Sequence, residues 1–589
     1  MRFFLICFLL SSISLFSQED LLAKEYVKNG EFEKALIAYK DLYRKSSNNN
    51  VYFLELVKTH QQLEQLDQAE ALLIKQIERV LYPALYVELG YNFQLKDNLD
   101  AAKTNYNIAI NYLDENPNYV FSVAKFFENR TLLNEAIATY EKAMELKPTL
   151  NFSIQLATIY GEQGNIEKMF SNYLNFVNIN NSYLNTIKRA MSDFISEDSE
   201  NENNILLRRI LLKNIQQEPN LLWNNLLSWL FIQQKEYNKA FAQEKAIFNR
   251  QPESLDRIEE LAIVAMNDKD FNSAKTIFTY LAETAQNPDV QIGAHYNLLQ
   301  IELKTLTDLN AIENTYLELF ETFGKTRQTI KLQIAYAHFL GFFKHNPESA
   351  TLFLKESLKL PISDLEEGTV KLELGDILVL QEKFNEALIY FTQIQRNLKN
   401  STLAQEARFK VAQTSYYKGD FKWSESQLKI LKSSTSQLIA NDALDLMLLI
   451  TDNKFEDSTQ AALKLYAKAD LMAFQNKPNK AIELIDAILE NYKGQSIEAQ
   501  ALYKQGQLFE TKQQFEKAII NYQIIIANFK DGILADDAYF ALAQLHENEL
   551  QNPVKAKEYY EQIIFNHQDS IYFVEARKKY RQLRGDDLN

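Results

Sequence analysis

Six histidines, one cysteine and a few short motifs are the places in this 589-residue chain where chemistry could reside. The one cysteine, Cys7, lies among the first ten residues. A disulfide framework, a thiolate zinc site, an iron–sulfur cluster and a cysteine nucleophile are thereby excluded from the remainder. Gly324-Lys325-Thr326 has the ending of a phosphate-binding loop, but the glycine such a loop needs five residues before Gly324 is Leu319. Ser415-Tyr416-Tyr417-Lys418 fits S-x-x-K without its companion motifs, and neither G-x-G-x-x-G nor G-x-S-x-G occurs. His60, His295, His338, His345, His546 and His567 include no HExxH pair. His338 and His345 are two helical turns apart, with Pro347 close behind and no carboxylate between them. Residues 196–204 are acidic and Asn-rich but lack the ligand order of a calcium loop, and read as a flexible loop. The expectation is a protein that is not an enzyme, with no catalytic residue, no metal and no cofactor.

Composition narrows the class further. Fourteen glycines and ten prolines make up about 4% of the chain, against roughly 12% on average, which argues against turn-rich β folds and Pro/Gly linkers. With 46% hydrophobic residues the chain can bury a large core. Its net charge of −15, with no run of five or more Lys/Arg, argues against nucleic acid as a partner. Met1 and Arg2 open a short positive segment, residues 3–16 are largely apolar, and Ser17 precedes Gln18. This reads as an export signal over 1–17, cleaved after Ser17. No later apolar run reaches 18 residues, so no transmembrane helix is expected after cleavage. The expected location is the periplasm or the outer membrane, through peripheral association with outer-membrane proteins.

The elements that would position any site come from a repeat. Ala35, Ala69, Ala102, Ala136 and Met169 recur every 33 or 34 residues. About twelve residues before each stands a mostly small residue, Ala23, Val57, Gly90, Ala124 and Ala157. Four after each stands a large one, Tyr39, Leu73, Tyr106, Tyr140 and Tyr173. Antiparallel helices approach closely where small side chains face each other, and the large residue fills the groove toward the next hairpin. One such hairpin cannot bury its apolar face alone, whereas stacked hairpins share a core. Ala240 and Ala274 continue the period, followed by Ile312, Ala350, Ala387, Ser424, Ala481, Ala518 and Ala556 at wider spacing. The 57-residue gap between Ser424 and Ala481 must hold an extra helix, with residues 437–450 as the candidate. Near Ala556 the period carries one inserted residue, and residues 571–584 read as a basic capping helix.

This pattern resembles the tetratricopeptide repeat. Tyr86, Leu89-Gly90, Phe93, Ala102, Tyr106 and Ala109 match its signature in one unit, and Ala124, Phe127, Ala136, Tyr140, Ala143 and Pro148 in the next. The resemblance implies an all-α fold, a right-handed α-solenoid of about fifteen helical hairpins. The expected divisions are a signal peptide (1–17), an N-terminal array (18–182), degenerate units (183–360) and a C-terminal array of longer period with the capping helix (361–589). Late units restart at Ser401…Ala404 and Ser496…Ala499, with serine as the expected N-cap. That form is similar to arrays of Gram-negative cell-envelope proteins.

In the family the first helix of each hairpin lines a groove, so the resemblance nominates groove residues. One early position reads Lys24, Lys58, Tyr91, Lys125 and Thr158, a basic strip for an acidic peptide or chain-terminal carboxylate, or simply solvated lysines. Two late positions read Phe409, Tyr466, Tyr503 and Phe540, and Gln413, Asp470, Gln507 and Gln544. Those rings and amides would grip an extended peptide, or the rings belong to the core. The expected function is a non-enzymatic scaffold for protein partners in the cell envelope. The alternatives are an accessory of outer-membrane protein assembly, or an enzyme or ligand receptor within the degenerate central units.

Overall fold

A computed structural model describes residues 19–305, 308–431, 436–454 and 459–586. The leader read at 1–17 and Cys7 lie outside the described residues. Every regular element among the described residues is helical. Among the described residues successive helices pair as antiparallel hairpins, beginning with 19–28 and Phe32–Lys45 and ending with Ala535–Gln544 and Pro553–Asn566. The chain divides into two compact units, Met1–Leu261 and Ala262–Asn589.

The two helices of a hairpin are buried differently. The first helix of the third hairpin, Ala84–Leu95, buries Ala84, Leu85, Val87, Glu88, Leu89, Gly90 and Asn92, leaving little of its circumference to solvent. Its partner Leu99–Glu115 buries a single stripe, Ala102, Tyr106, Ala109 and Leu113. The small residues of the repeat are the pivots of this packing. Ala35, Ala69, Ala136, Ala240, Ala274, Ala350, Ala387, Ser424, Ala481, Ala518 and Ala556 are all fully buried. At three first-helix glycines the large residue of the second helix lies on the glycine. A Cβ on Gly90 would stand 2.4 Å from the Tyr106 ring, one on Gly375 2.3 Å from Phe391, and one on Gly506 2.6 Å from Tyr522.

The turn inside each hairpin explains how a glycine-poor chain can be so full of turns. Asp97 adopts φ 58° after helix Ala84–Leu95. The Asn98 amide then donates to the Phe93 carbonyl (3.0 Å), which closes the first helix. The Asn98 side chain accepts from the Ala101 amide (3.1 Å), which opens the second. Glu64, Thr131, Lys235, Lys269, Glu382, Asn476 and Gln513 take the same left-handed conformation in their own hairpins.

Irregular spacing in the sequence has local causes. The residue inserted before Ala556 is absorbed by a π-helical turn, Leu545–Glu549, and a second such turn, Phe339–Phe343, precedes Ala350. The extra helix of the 57-residue gap is Gln437–Asn453. It does not extend the stack: Thr402–Tyr417 packs directly on Ala461–Phe474, and Gln475 Nε2 donates to the Leu380 carbonyl (3.1 Å) past the insertion. The 196–204 segment, expected to be a flexible loop, is fastened. Buried Asn204 donates from Nδ2 to the carbonyls of Ser196 (2.8 Å) and Asp198 (2.6 Å). The serine restarts divide. Ser401 caps its helix by accepting from the Ala404 amide (3.0 Å). Ser496 caps nothing, because its hydroxyl is drawn to Asn453 Oδ1 (2.7 Å) at the end of the extra helix. The capping helix is Phe573–Arg584, which buries Ala576.

Candidate functional site

In the first unit the early groove residues lie on first helices, and each lysine meets a carboxylate of its own helix. Lys24 pairs with Asp20 (2.7 Å), Lys58 with Glu55 (2.7 Å) and Lys125 with Glu128 (2.9 Å). The hydrogen bonds that they donate to these acids hold Lys24 and Lys125 above the ordinary lysine range. The strip therefore presents paired charges of both signs instead of the uncompensated positive field expected of it. Thr158 is exposed and donates to the Ile154 carbonyl (3.1 Å). Tyr91 is covered by the Arg130 guanidinium, 4.2 Å from its ring centre. Arg130 also forms an ion pair with buried Glu88 and donates to Gln61 (2.9 Å), joining three successive hairpins.

The central units carry two polar features. In the first unit, Arg257 donates to both oxygens of buried Glu244 (2.7 Å each), which also accepts from Ser228. Burial, with Arg257 adding repulsion, pushes the nearby Lys188 ammonium down to about 8, and Lys188 donates to Asn225 (2.7 Å). In the second unit a cleft of about 390 Å³ is lined by Tyr296, Lys304, Lys331, His338, Phe343 and Glu373, among others. Lys331 lies over the Tyr296 ring (4.2 Å), and His338 Nδ1 meets Glu373 (2.9 Å). Ser228 and Glu244 are both buried, and Arg257 occupies both oxygens of the carboxylate. The motifs that drew notice in the sequence hold structural bonds. Thr329 Oγ1 donates to the Gly324 carbonyl (2.8 Å), Lys325 sits 4.9 Å from the Phe353 ring, and buried Ser415 donates to the Val411 carbonyl (2.7 Å). Among the described residues no three His, Cys, Asp or Glu side chains are placed to hold a metal ion. No helix among them is long and apolar enough to cross a membrane.

The late ladder is split between core and surface. Tyr466 is 6% exposed and part of the core, with its hydroxyl on the Gln500 carbonyl (3.3 Å). Tyr503 packs on Tyr522 (5.5 Å between ring centres), and Phe540 is stacked by Tyr572, the N-cap residue of the capping helix (4.2 Å). Gln507 is exposed and Gln544 half-buried. These rings form no continuous aromatic track for a peptide. Phe409, Gln413 and Asp470, by contrast, converge on a cleft of about 630 Å³. Tyr417 and Phe474 complete its floor, their ring centres 6.0 Å apart. The inserted helix Gln437–Asn453 supplies a wall through Asp442, Asp445, Leu446 and Leu449, and Gln500 and Lys504 come from helix Ile497–Thr511. Asp470 is satisfied, accepting from Tyr416 (2.9 Å) and pairing with Lys504 (2.9 Å). The sequence reading missed Asp442, Asp445, Tyr417, Phe474 and Lys504. The 57-residue gap locates the helix that carries Asp442 and Asp445, and the spacing Asp442, Asp445, Leu446, Leu449 marks one face of it.

Comparison with known proteins bears on this same region. The family model "Tetratricopeptide repeat" matches residues 466–533, which include two of the helices that form the cleft. No curated protein matches the chain. Among solved structures, one of Naa15/Naa10 bound to HypK-THB aligns at 10% identity with a TM-score of 0.28 over 97% of each chain. One of the APC/C hetero-tetramer Cut9-Hcn1 aligns at 13% identity with a TM-score of 0.23, again over 97% of each chain. Scores this low leave the architecture to be read from the chain's own helices.

Proposed function

We propose that this protein is a non-catalytic scaffold that holds protein partners on the first-helix faces of its hairpins. The observation that carries the reading is the 630 Å³ cleft, open to solvent and built on three successive first helices, of which Ala461–Phe474 overlaps and Ile497–Thr511 lies within the tetratricopeptide-matched stretch. Its lining mixes apolar rings, amides and carboxylates, which suits side-chain recognition along a peptide. The leader read at 1–17 supports a location outside the inner membrane, in the periplasm or at the outer membrane. The resemblance of the late repeat units to those of Gram-negative cell-envelope proteins is what favours a role alongside outer-membrane protein assembly.

Affinity purification of the tagged full chain from native envelope fractions, with mass spectrometry of co-eluting proteins, tests the reading. Enrichment of one or more partners over an untagged control supports it. Turnover of an envelope substrate that a single point change abolishes would replace it with an enzyme.

A further inference from the structure

The cleft in the second unit has a charge and shape of its own, and they specify more than a generic protein surface. Four carboxylate or ammonium groups line it: Asp442, Asp445, Asp470 and Lys504. Lys504 and Asp470 neutralise each other at 2.9 Å. Asp442 and Asp445 are exposed and form no ion pair or hydrogen bond among the described residues. Although its side chain reaches solvent, Asp445 is held above the ordinary carboxylate range by partial desolvation against the protein and by the like charge of Asp442. Asp445 in turn adds to the repulsion felt by Asp537 on helix Ala535–Gln544, so the negative field extends past the cleft toward the next hairpin. Opposite these acids stand the rings of Phe409, Tyr417 and Phe474.

Uncompensated carboxylates facing aromatic rings favour one ligand chemistry. A cation is attracted by the carboxylates and by the negative faces of the rings. An anionic peptide or a nucleic acid meets repulsion. A bare metal ion lacks a third ligand here. A space of about 630 Å³ is far larger than a monatomic ion needs, and it has room for a long side chain with its flanking backbone. The apolar stem of lysine or arginine suits Leu446 and Leu449, while its head reaches the aspartates. The inserted helix is what makes the difference from a plain hairpin stack, because it alone contributes Asp442 and Asp445.

We infer that the cleft between helix Gln437–Asn453 and the first helices Thr402–Tyr417, Ala461–Phe474 and Ile497–Thr511 binds a basic, lysine- or arginine-bearing segment of a partner protein. This rests on the scaffold reading and names the chemistry of its ligand.

The test uses the full chain and a fluorescein-labelled nine-residue peptide of alternating lysine and serine, followed by fluorescence anisotropy. A peptide with glutamate in place of lysine is the matched control. Because an acidic protein attracts any basic peptide, two charge-matched variants are compared. Asp442→Asn/Asp445→Asn removes two charges at the cleft, and Glu33→Gln/Asp100→Asn removes two exposed charges from the first unit. The expected result is a Kd at least tenfold weaker for the cleft variant, a change under twofold for the other, and no binding of the glutamate peptide. All four substituted side chains are exposed, so the fold is retained, and far-UV circular dichroism checks it. Equal weakening in both variants, or none in either, overturns the cleft. The scaffold reading fails separately, on co-purification from native fractions, since the peptide titration needs no cellular partner.

Discussion

Arg130 reaches from the turn of the fourth hairpin to Glu88 in the third and Gln61 in the second, and covers the Tyr91 ring on the way. The two charged side chains are 12% and 3% exposed, so the pair is buried. Removing one partner of a buried pair leaves the other charge desolvated without compensation. Arg130→Met is expected to lower unfolding stability by about 3–5 kcal/mol, read as a fall in the urea midpoint. Adding Glu88→Gln, which replaces the stranded charge with a neutral amide, should recover a substantial part of that loss. A single variant as stable as the parent would show that water, not Arg130, solvates Glu88. The same residue shows where residue-level reading of the sequence stops. Tyr91 was legible as a first-helix position, but its cover comes from a turn 39 residues later, and only the stacking of hairpins brings the two together.

At the scale of the element, most of the fold was legible because the repeat makes one packing problem recur. The small residues that define the period are the ones found fully buried, and the helix assigned to the long gap is there. Two things escaped. Nothing in the spacing says whether an extra helix joins the stack or lies beside it, since both satisfy the chain length. Nor does residue type at the hairpin turns announce a left-handed conformation when aspartate, glutamate or lysine supplies it in place of glycine. Asp97 is exposed with φ 58°, a conformation that costs an L-residue roughly 1–2 kcal/mol and glycine almost nothing. Part of this gain is offset by the greater freedom of glycine in the unfolded chain. Asp97→Gly should therefore raise stability by up to about 1 kcal/mol, seen as a higher urea midpoint. A lower midpoint would mean that the aspartate side chain contributes to the turn.

Across the whole molecule the hairpins share a titratable feature, the tyrosine packed between helices. Burial pushes Tyr39 up to about 12, and it also raises Tyr106, Tyr140, Tyr316, Tyr416, Tyr522 and Tyr560. Several of their hydroxyls donate to a side chain of the first helix of the same hairpin: Tyr106 to Gln94, Tyr140 to Glu128, Tyr522 to Glu510 and Tyr560 to Glu547. A tyrosine that stays protonated in the folded state but ionises near pH 10 when unfolded contributes stability that is complete below pH 10. That stability is lost as the pH climbs through the folded-state value. Lys188 works in the opposite sense, because its depressed value makes the cost of its charge disappear between about pH 8 and the unfolded lysine range. It is one group against many, so the tyrosines decide the outcome. The urea midpoint is expected to hold steady to about pH 9.5 and fall steeply between pH 10 and 12. Absorbance at 295 nm separates this from ordinary surface titration. The exposed tyrosines ionise first with the helices intact, and a second rise in tyrosinate must coincide with the loss of far-UV ellipticity. Full tyrosinate formation while the helical signal persists would mean that these rings are open to solvent, and that hairpin packing does not depend on keeping their hydroxyls protonated.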